Sequence, residues 1–442
     1  MKKLFTTLSN IWKIEDLRAR ILFTLLCLLV YRIGSFIIIP GVDASVIEDN
    51  QAKEGLLGLL NMFAGGSFSR SSIFALGVMP YISASIVVQL LGIAVPYFQK
   101  LQKEGESGRK KINQVTRYLT IIITAIQAMG YVKTQIAPEA RLLAEPIFTI
   151  SSMFVLTAST MFVVWLGEKI TDKGIGNGIS VIIMVGIIAQ LPFGLIAEVN
   201  ARMGAAGGLV SIIIEFAALF LVVMFTILIV QGVRKIPVQY AKKIVGAKQY
   251  GGVRQYIPLK VNAAGVMPII FAQAIMFIPT TISSFFPSIQ SSFLASFSDY
   301  TSLTYNVTFA FMIIAFTFFY TAITVNPVQM SDDMKKNGGF VPGVKPGKTT
   351  GDYIDAVISK ITLPGSIFLA IIAILPSIAI ILGVNSQFAH FYGGTSLLIL
   401  VGVVLDTLQQ IESHLLMRHY DGLMKTGRIK GRTPVAAGGP VI

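Results

Sequence analysis

The chain alternates long apolar runs with shorter polar and charged stretches. Ten runs are long enough to cross a bilayer, since about 20 helical residues span its hydrocarbon core. They lie near residues 17–39, 74–96, 115–134, 148–167, 178–197, 209–232, 264–286, 305–326, 364–384 and 393–411. The first run lacks a small-residue cleavage site and contains Arg32, so we expect it to remain as a span. The pattern predicts an all-α polytopic membrane protein with ten transmembrane helices.

Composition supports this prediction and excludes several classes of activity. Hydrophobic residues make up 54% of the chain, charged residues only 13%, and the mean hydropathy is +0.72. The single cysteine, Cys27, excludes an internal disulfide or a thiolate metal cluster. His390, His414 and His419 lack the spacing of metal ligands, and the sequence has no phosphate-binding loop. We therefore expect no catalytic residue, no metal and no cofactor.

The distribution of basic residues predicts the orientation. With the N-terminus in the cytoplasm, 30 of the 36 Lys and Arg residues lie on the cytoplasmic side. Only Lys53, Lys133, Arg141 and Arg202 lie in loops on the opposite side. Because basic residues accumulate in cytoplasmic loops, both termini are predicted to be cytoplasmic.

A short motif occurs twice. Residues 77–82 read GVMPYI and residues 265–270 read GVMPII, and each copy begins an apolar run. The preference for proline in the first turn of a helix could explain each copy separately. The predicted topology places the two helices antiparallel, however, as an inverted repeat of five plus five spans requires. The sequence thus favours two halves, 1–200 and 201–442.

Residues 55–72 form a glycine-rich segment that is too short to span. Its polar members, Asn61, Arg70 and four serines, would be costly against lipid. One alternative is a helix lying on the outer membrane surface. The other is a short re-entrant helix packed into the outer end of a pore.

Charged residues inside the spans are sparse: Arg32, Glu215 near the outer end of span six, and Asp406 near the inner end of span ten. Ion-coupled transporters usually carry paired ionisable groups near the midplane, and none is apparent in the sequence. The pattern favours a conduit with apolar walls, which can close by excluding water.

Two predicted cytoplasmic loops, 233–263 and 327–363, are longer than connectors need to be; the first has seven basic and no acidic residues, and the second has five basic residues. Topogenic charge and attraction to lipid head groups account for part of the excess. Gly/Pro punctuation indicates shaped projections that could bind an acidic protein surface or ribosomal RNA. The candidate docking residues are Arg234, Lys235, Lys242, Lys243, Lys345 and Lys348.

Several long stretches match one known family: residues 32–36 (RIGSF), 61–63 (NMF), 65–66 (GG), 72–77 (SIFALG), 79–86 (MPYISASI), 103–109 (KEGESGR), 165–168 (WLGE), 174–180 (GIGNGIS), 340–343 (FVPG) and 393–399 (GGTSLLI). Through them the chain resembles the SecY family of bacterial protein-conducting channels along nearly its whole length.

The resemblance implies two halves around an hourglass pore, a plug at about residues 57–72 and a ring of aliphatic side chains. The plug residues carried over are Asn61, Met62, Phe63, Gly65, Gly66, Ser67 and Arg70. The ring residues are Val78, Ile82, Ile183, Ile270 and Ile399, without Val266 of the second motif copy. Val78 stands where relatives commonly have isoleucine. The family's lateral gate lies between spans two/three and seven/eight, where we place Gln89 and Gln273.

The resemblance also implies a function and partners. The protein would pass unfolded, signal-bearing polypeptides across the bacterial plasma (inner) membrane and release apolar segments sideways into membrane lipids. Its partners would be SecE-type and SecG-type small membrane subunits, a SecA-type motor ATPase and the ribosome. Lys345 replaces an arginine common in relatives and so loses the bidentate fork. A secondary transporter of a small solute and a non-transporting scaffold are the alternatives.

Overall fold

The computed structural model describes residues 14–43, 61–203, 208–240, 243–245, 248–250, 254–285 and 301–425, together with Trp12 and Asp299. Each of the ten predicted spans overlaps one helix. In chain order these helices are α1 (Glu15–Gly34), α2 (Met79–Ala94), α4 (Glu106–Gln135), α5 (Glu145–Lys173), α6 (Gly178–Met203), α7 (Gly208–Val230), α8 (Met267–Phe285), α9 (Leu303–Thr324), α11 (Lys348–Ile381) and α13 (Gly394–Lys425). Three shorter helices are α3 (Pro96–Lys103), α10 (Pro327–Lys336) and α12 (Ser386–Ala389).

The helices of the described part are those of a membrane protein. Seven are long and apolar enough to cross a bilayer, or eight if α2 and α3 count as one broken span. These two helices meet at an angle of 102°. The predicted helical membrane architecture is therefore confirmed, and the count of ten spans is consistent with these helices.

Several boundaries differ from the prediction. α1 ends at Gly34 instead of continuing to residue 39, α6 runs on to Met203, and α11 begins at Lys348, well before residue 364. Hydropathy detects the lipid-facing part of a helix. A helix can continue beyond that part wherever its backbone hydrogen bonds are kept, so apolar runs underestimate α6 and α11.

The two copies of the repeated motif have the same local structure. Gly77 and Gly265 both have positive φ, at 52° and 64°, and the helices begin two residues later, at Met79 and Met267. A left-handed conformation favours glycine, and proline suits the first turn of a helix. The motif is therefore a helix-start signal used in the same way at both places.

The sequence missed a small antiparallel sheet. Strand β1 (Val233–Tyr240) pairs with β4 (Arg254–Lys260) and with β5 (Gly339–Phe340), so the two basic loops form one unit. Strands β2 (Lys243–Val245) and β3 (Lys248–Tyr250) form a separate hairpin. We call the end of the molecule that carries the three-stranded sheet the sheet end.

Buried apolar side chains form separate clusters. One joins α8, α9 and α11, and a second joins residues 39–42 and 64–76 with α4 and α5. The central cluster draws on α1, α5 and α6 from the first predicted half and on residues 379–403 from the second. A fourth cluster packs the sheet against α10 and α11.

Candidate functional site

The five predicted ring residues come together in the central cluster. Val78, Ile183 and Ile399 are at most 5% exposed, and Ile82 and Ile270 pack against them partly buried. They come from α6, α13, α8 and the start of α2, so apolar side chains of both predicted halves contribute to the same cluster. Such a cluster can exclude water and ions by dewetting. Their arrangement as a ring and their role in a pore stay predictions.

The repeated motif sets the position of two of these residues. The Ile82 amide donates to the Val78 carbonyl at 3.1 Å, and the Ile270 amide donates to the Val266 carbonyl at 3.4 Å. Ile82 and Ile270 thus occupy equivalent positions in the first turn of their helices. Val266, which was left out of the predicted ring, also packs against the central cluster.

The predicted plug segment is enclosed by protein. Its described part, 61–72, is helical only at 61–63 and continues as turns, and every residue from Met62 to Phe68 is buried. Residues 57–60 lie outside the described residues. The burial of this segment is contrary to a helix lying on the outer membrane surface.

Two glycines allow this segment to lie directly against α6. A Cβ atom built on Gly186 would lie 2.6 Å from the Phe63 carbonyl oxygen, and one built on Gly65 would lie 3.1 Å from Gly186 Cα. Gly65 also has a positive φ of 64°. The contact between the segment and α6 is therefore made by backbone, with no space for a side chain.

Two arginines hold the turn that contains Gly65. Arg32 Nη1 and Arg70 Nη2 each donate to the Gly65 carbonyl at 2.9 Å, and Arg70 Nε donates to the Gly66 carbonyl at 3.0 Å. Both guanidinium groups lie over the Phe36 ring, 5.0 Å (Arg32) and 4.4 Å (Arg70) from its centroid. Arg70 was a predicted plug residue. The contact of Arg32 with this segment was not predicted, although a charged residue within an apolar run was a signal.

Further hydrogen bonds fix the remainder of the segment. The Asn61 side-chain oxygen accepts from the Ser69 amide at 3.0 Å, and the Tyr131 hydroxyl donates to the Phe68 carbonyl at 2.6 Å. Ser67 is fully buried. These contacts satisfy polar groups that would otherwise be costly in an apolar surrounding.

A cavity of about 220 Å³ lies beside the segment. It is lined by the segment itself, by α6 and by the region of α12, through Asn61, Met62, Gly66, Ser69, Arg70, Gln190, Phe193, Gly194, Gln387, His390 and Phe391. Burial lowers the pKa of His390 to about 4, so its imidazole is neutral at pH 7. Among these lining residues Arg70 alone carries a charge.

The two predicted gate residues lie on the expected helices. Gln89 is half-buried on α2 and donates to the Ser85 hydroxyl of the same helix at 3.3 Å, and Gln273 is buried on α8. These observations leave their role in a lateral gate a prediction.

Four of the six candidate docking residues can be placed, and they lie at the sheet end. Arg234 and Lys235 are exposed on β1, Lys345 is exposed in the turn after β5, and Lys348 is exposed at the start of α11. Lys242 lies outside the described residues, and the Lys243 side chain is likewise not described. The turn at Lys345 is fixed because Thr350 Oγ1 donates to the Lys345 carbonyl at 2.8 Å and Ser331 Oγ donates to the Gly347 carbonyl at 2.6 Å. Because β1 pairs with β5, the two predicted basic loops lie side by side at the sheet end.

Fold and site together define a helical membrane protein with a central apolar cluster and a buried segment, 61–72, packed beside it. The SecY family model matches residues 72–408. The Protein translocase subunit SecY of Halalkalibacterium halodurans is 45% identical over 432 residues, covering 96% of this chain and all of that protein. That of Streptomyces scabiei is 42% identical over 440 residues, with the same coverage. The chain belongs to the SecY family.

Solved structures agree on the fold. A protein-conducting channel superposes with a TM-score of 0.66 at 17% identity, covering 94% of this chain and 95% of that one. Sec61 from a canine ribosome–channel complex has a TM-score of 0.61 at 16% identity, with the same coverage of both chains. SecY is a family of translocase subunits rather than of enzymes. Membership supports the protein-conducting channel and gives no support to the small-solute transporter.

Proposed function

We propose that this chain forms the channel through which unfolded, signal-bearing polypeptides cross the bacterial plasma (inner) membrane. The carrying observation is the position of the predicted ring in the central cluster, with residues 61–72 packed beside it. The sheet end and both termini face the cytoplasm in this proposal, since 30 of the 36 basic residues then lie on that side.

The ring and plug act together in the resting state. Aliphatic side chains offer no hydrogen bonds to water or ions, so the closed constriction is dry. An extended polypeptide passes when the two halves, 1–200 and 201–442, separate slightly and the plug moves aside. The flexible aliphatic side chains then fit around the polypeptide and limit ion flow.

Apolar segments of the polypeptide leave sideways. Burial of apolar surface in lipid contributes about 25 cal/mol per Å², so a hydrophobic span partitions out of the channel without further energy. The opening runs between α2/α4 and α8/α9, with Gln89 and Gln273 among its polar lining.

Energy and direction come from partners at the sheet end. Relatives of the same fold were solved in complex with ribosomes, a canine Sec61 and a yeast Ssh1 complex. The exposed Arg234, Lys235, Lys345 and Lys348 offer positive charge to ribosomal RNA or to an acidic motor surface. A SecA-type ATPase and SecE-type and SecG-type small subunits complete the proposed assembly.

Reconstitution of the purified chain, with the membrane subunits that co-purify, tests this function. Proteoliposomes supplied with a SecA-type motor and ATP are expected to import a precursor that carries a signal and to leave its signal-deleted form outside. Import is measured as protection of the precursor from added protease. Small-solute counterflow without protein import would support the transporter, and neither activity would support the scaffold.

A further inference from the structure

A buried ion cluster lies where the two predicted halves connect. Arg202, in the last turn of α6, donates through Nε to Glu198 Oε1 at 2.9 Å. Its Nη2 donates to Glu215 Oε1 on α7 at 2.6 Å and to the Gly383 carbonyl after α11 at 2.8 Å. One guanidinium thus joins the end of α6 to α7, the next helix, and to Gly383, which is 181 residues away in sequence.

The same cluster reaches the residues before α12. The Asn385 amide donates to Glu198 Oε2 at 2.7 Å, so both oxygens of this carboxylate are bound. Beside the ions, the Phe216 ring of α7 lies 5.9 Å from the Phe388 ring of α12. The polar and aromatic contacts together fasten α12 to α6 and α7.

Burial makes the loss of any one of these partners costly. The Glu198 side chain is 4% exposed, that of Glu215 10% and that of Arg202 23%. Removal of one partner from a buried ion pair leaves an uncompensated charge, which is strongly destabilising, whereas an exposed pair contributes little. The loss of Arg202 would leave two buried carboxylates facing each other.

The fastened element is also a wall of the cavity beside residues 61–72. Gln387 and Phe391 line that cavity together with Gly194 of α6. A Cβ atom on Gly194 would lie 3.2 Å from the Gln387 carbonyl oxygen, so α12 lies directly on α6. A shift of α12 would therefore change the surroundings of the predicted plug.

We propose that Glu198, Arg202 and Glu215 form an ionic joint that holds the start of the second half against the end of the first and so positions α12 beside the plug in the closed channel. This inference rests on the proposed function. Arg202 acts here as a positioning residue and touches no polypeptide. Loosening the joint should expose α12 and weaken closure.

Cysteine labelling at α12 measures this directly. Ala389 is fully buried on α12, and Cys27 is the only native cysteine. In a Cys27→Ala, Ala389→Cys background, a hydrophilic maleimide is added to permeabilised cells, so that no orientation is assumed. We expect Arg202→Met to raise the labelling rate about tenfold, because the joint then opens locally. Arg202→Lys, which keeps the charge but cannot reach three acceptors in the same way, should give an intermediate rate.

Arg141 provides a matched control within one half. It donates to Glu145 at 3.1 Å and to the carbonyls of Val132 and Ile136 at 3.1 and 2.8 Å, joining α4 to α5 only. We expect Arg141→Met to leave the labelling rate within about twofold of the background. If the Arg202→Met protein does not accumulate, the labelling rate of Arg202→Lys tests the inference instead, because this variant keeps the positive charge.

Two results would overturn the inference: an unchanged rate in the Arg202 variants, or an equal rise in Arg141→Met. A second measurement tests the link to closure, since Arg202→Met should also increase transport of a signal-deleted precursor while Arg141→Met should not. Labelling requires no transport. The ionic joint can therefore be disproved while signal-dependent import is observed. Conversely, the proposed function can be disproved while the labelling rates support the joint.

Discussion

Replacing Ile82 and Ile270 together with serine is expected to raise the resting ion conductance of the channel by roughly tenfold or more. Both side chains pack against the central cluster at equivalent positions of the repeated motif. Burial of an isoleucine contributes about 1.5–3 kcal/mol, and about 1.4 kcal/mol corresponds to a factor of ten in an equilibrium. Two serines would let water enter the constriction, and ions follow water. The conductance is measured in planar bilayers without polypeptide.

The matched control lies on the same two helices. Val87 on α2 is 40% exposed and Ile275 on α8 is 37% exposed, so Val87→Ser with Ile275→Ser changes the same number of side chains outside the cluster. We expect this double variant to conduct like the parent. If Ile82→Ser with Ile270→Ser conducts no more than the parent, these residues do not form the constriction.

Gly186→Ala should weaken the packing of the predicted plug, residues 61–72, against α6. The new Cβ would lie 2.6 Å from the Phe63 carbonyl oxygen, so residues 61–72 must move away from α6. Overpacking of this kind costs about 1–3 kcal/mol, and at this site it acts on the closed state. We expect the resting conductance, and import of a signal-deleted precursor, to rise roughly tenfold.

Gly402→Ala separates this effect from helix stability. Gly402 lies within α13, and its Cβ would meet Val266 Cγ2 at an ordinary 3.6 Å. Alanine favours a helix over glycine by about 1 kcal/mol at either position. Gly402→Ala should therefore keep the parent's conductance. If Gly186→Ala behaves in the same way, residues 61–72 do not seal the channel.

The sequence was sufficient for features that depend on short-range patterns. Each of the ten apolar runs overlaps a long helix, and the Gly-Val-Met-Pro motif marked two helix starts with the same geometry at Gly77 and Gly265. Family motifs also selected five aliphatic residues that the structure brings into one cluster. In each case a local rule, such as the proline preference of a first helical turn, agrees with the tertiary structure.

Features that depend on contacts between residues far apart in sequence could not be predicted from local patterns. β1 contains Pro237, which argues against a strand, and its alternating apolar residues are limited to Ile236, Val238 and Tyr240; β5 has only two residues, too few to show a pattern. The spacing of Glu198 and Arg202 suits a helical pair, but nothing in the sequence connects them with Glu215, Gly383 and Asn385. The close contact between Gly65 and Gly186 could not be predicted either, because the two residues are 121 positions apart in sequence.

The central claim is that a translocating polypeptide passes between the ring residues. It is tested by cross-linking a stalled precursor, carrying one cysteine in its translocating stretch, to single cysteines placed in the channel in a Cys27→Ala background. Ile183→Cys on α6 and Ile399→Cys on α13 probe the ring. Ile188→Cys and Val404→Cys on the same helices, at positions 44% and 39% exposed, are the controls. We predict disulfides from the precursor to residues 183 and 399 and none to residues 188 and 404. Cross-links to residues 188 and 404 alone, during active import, would contradict the account.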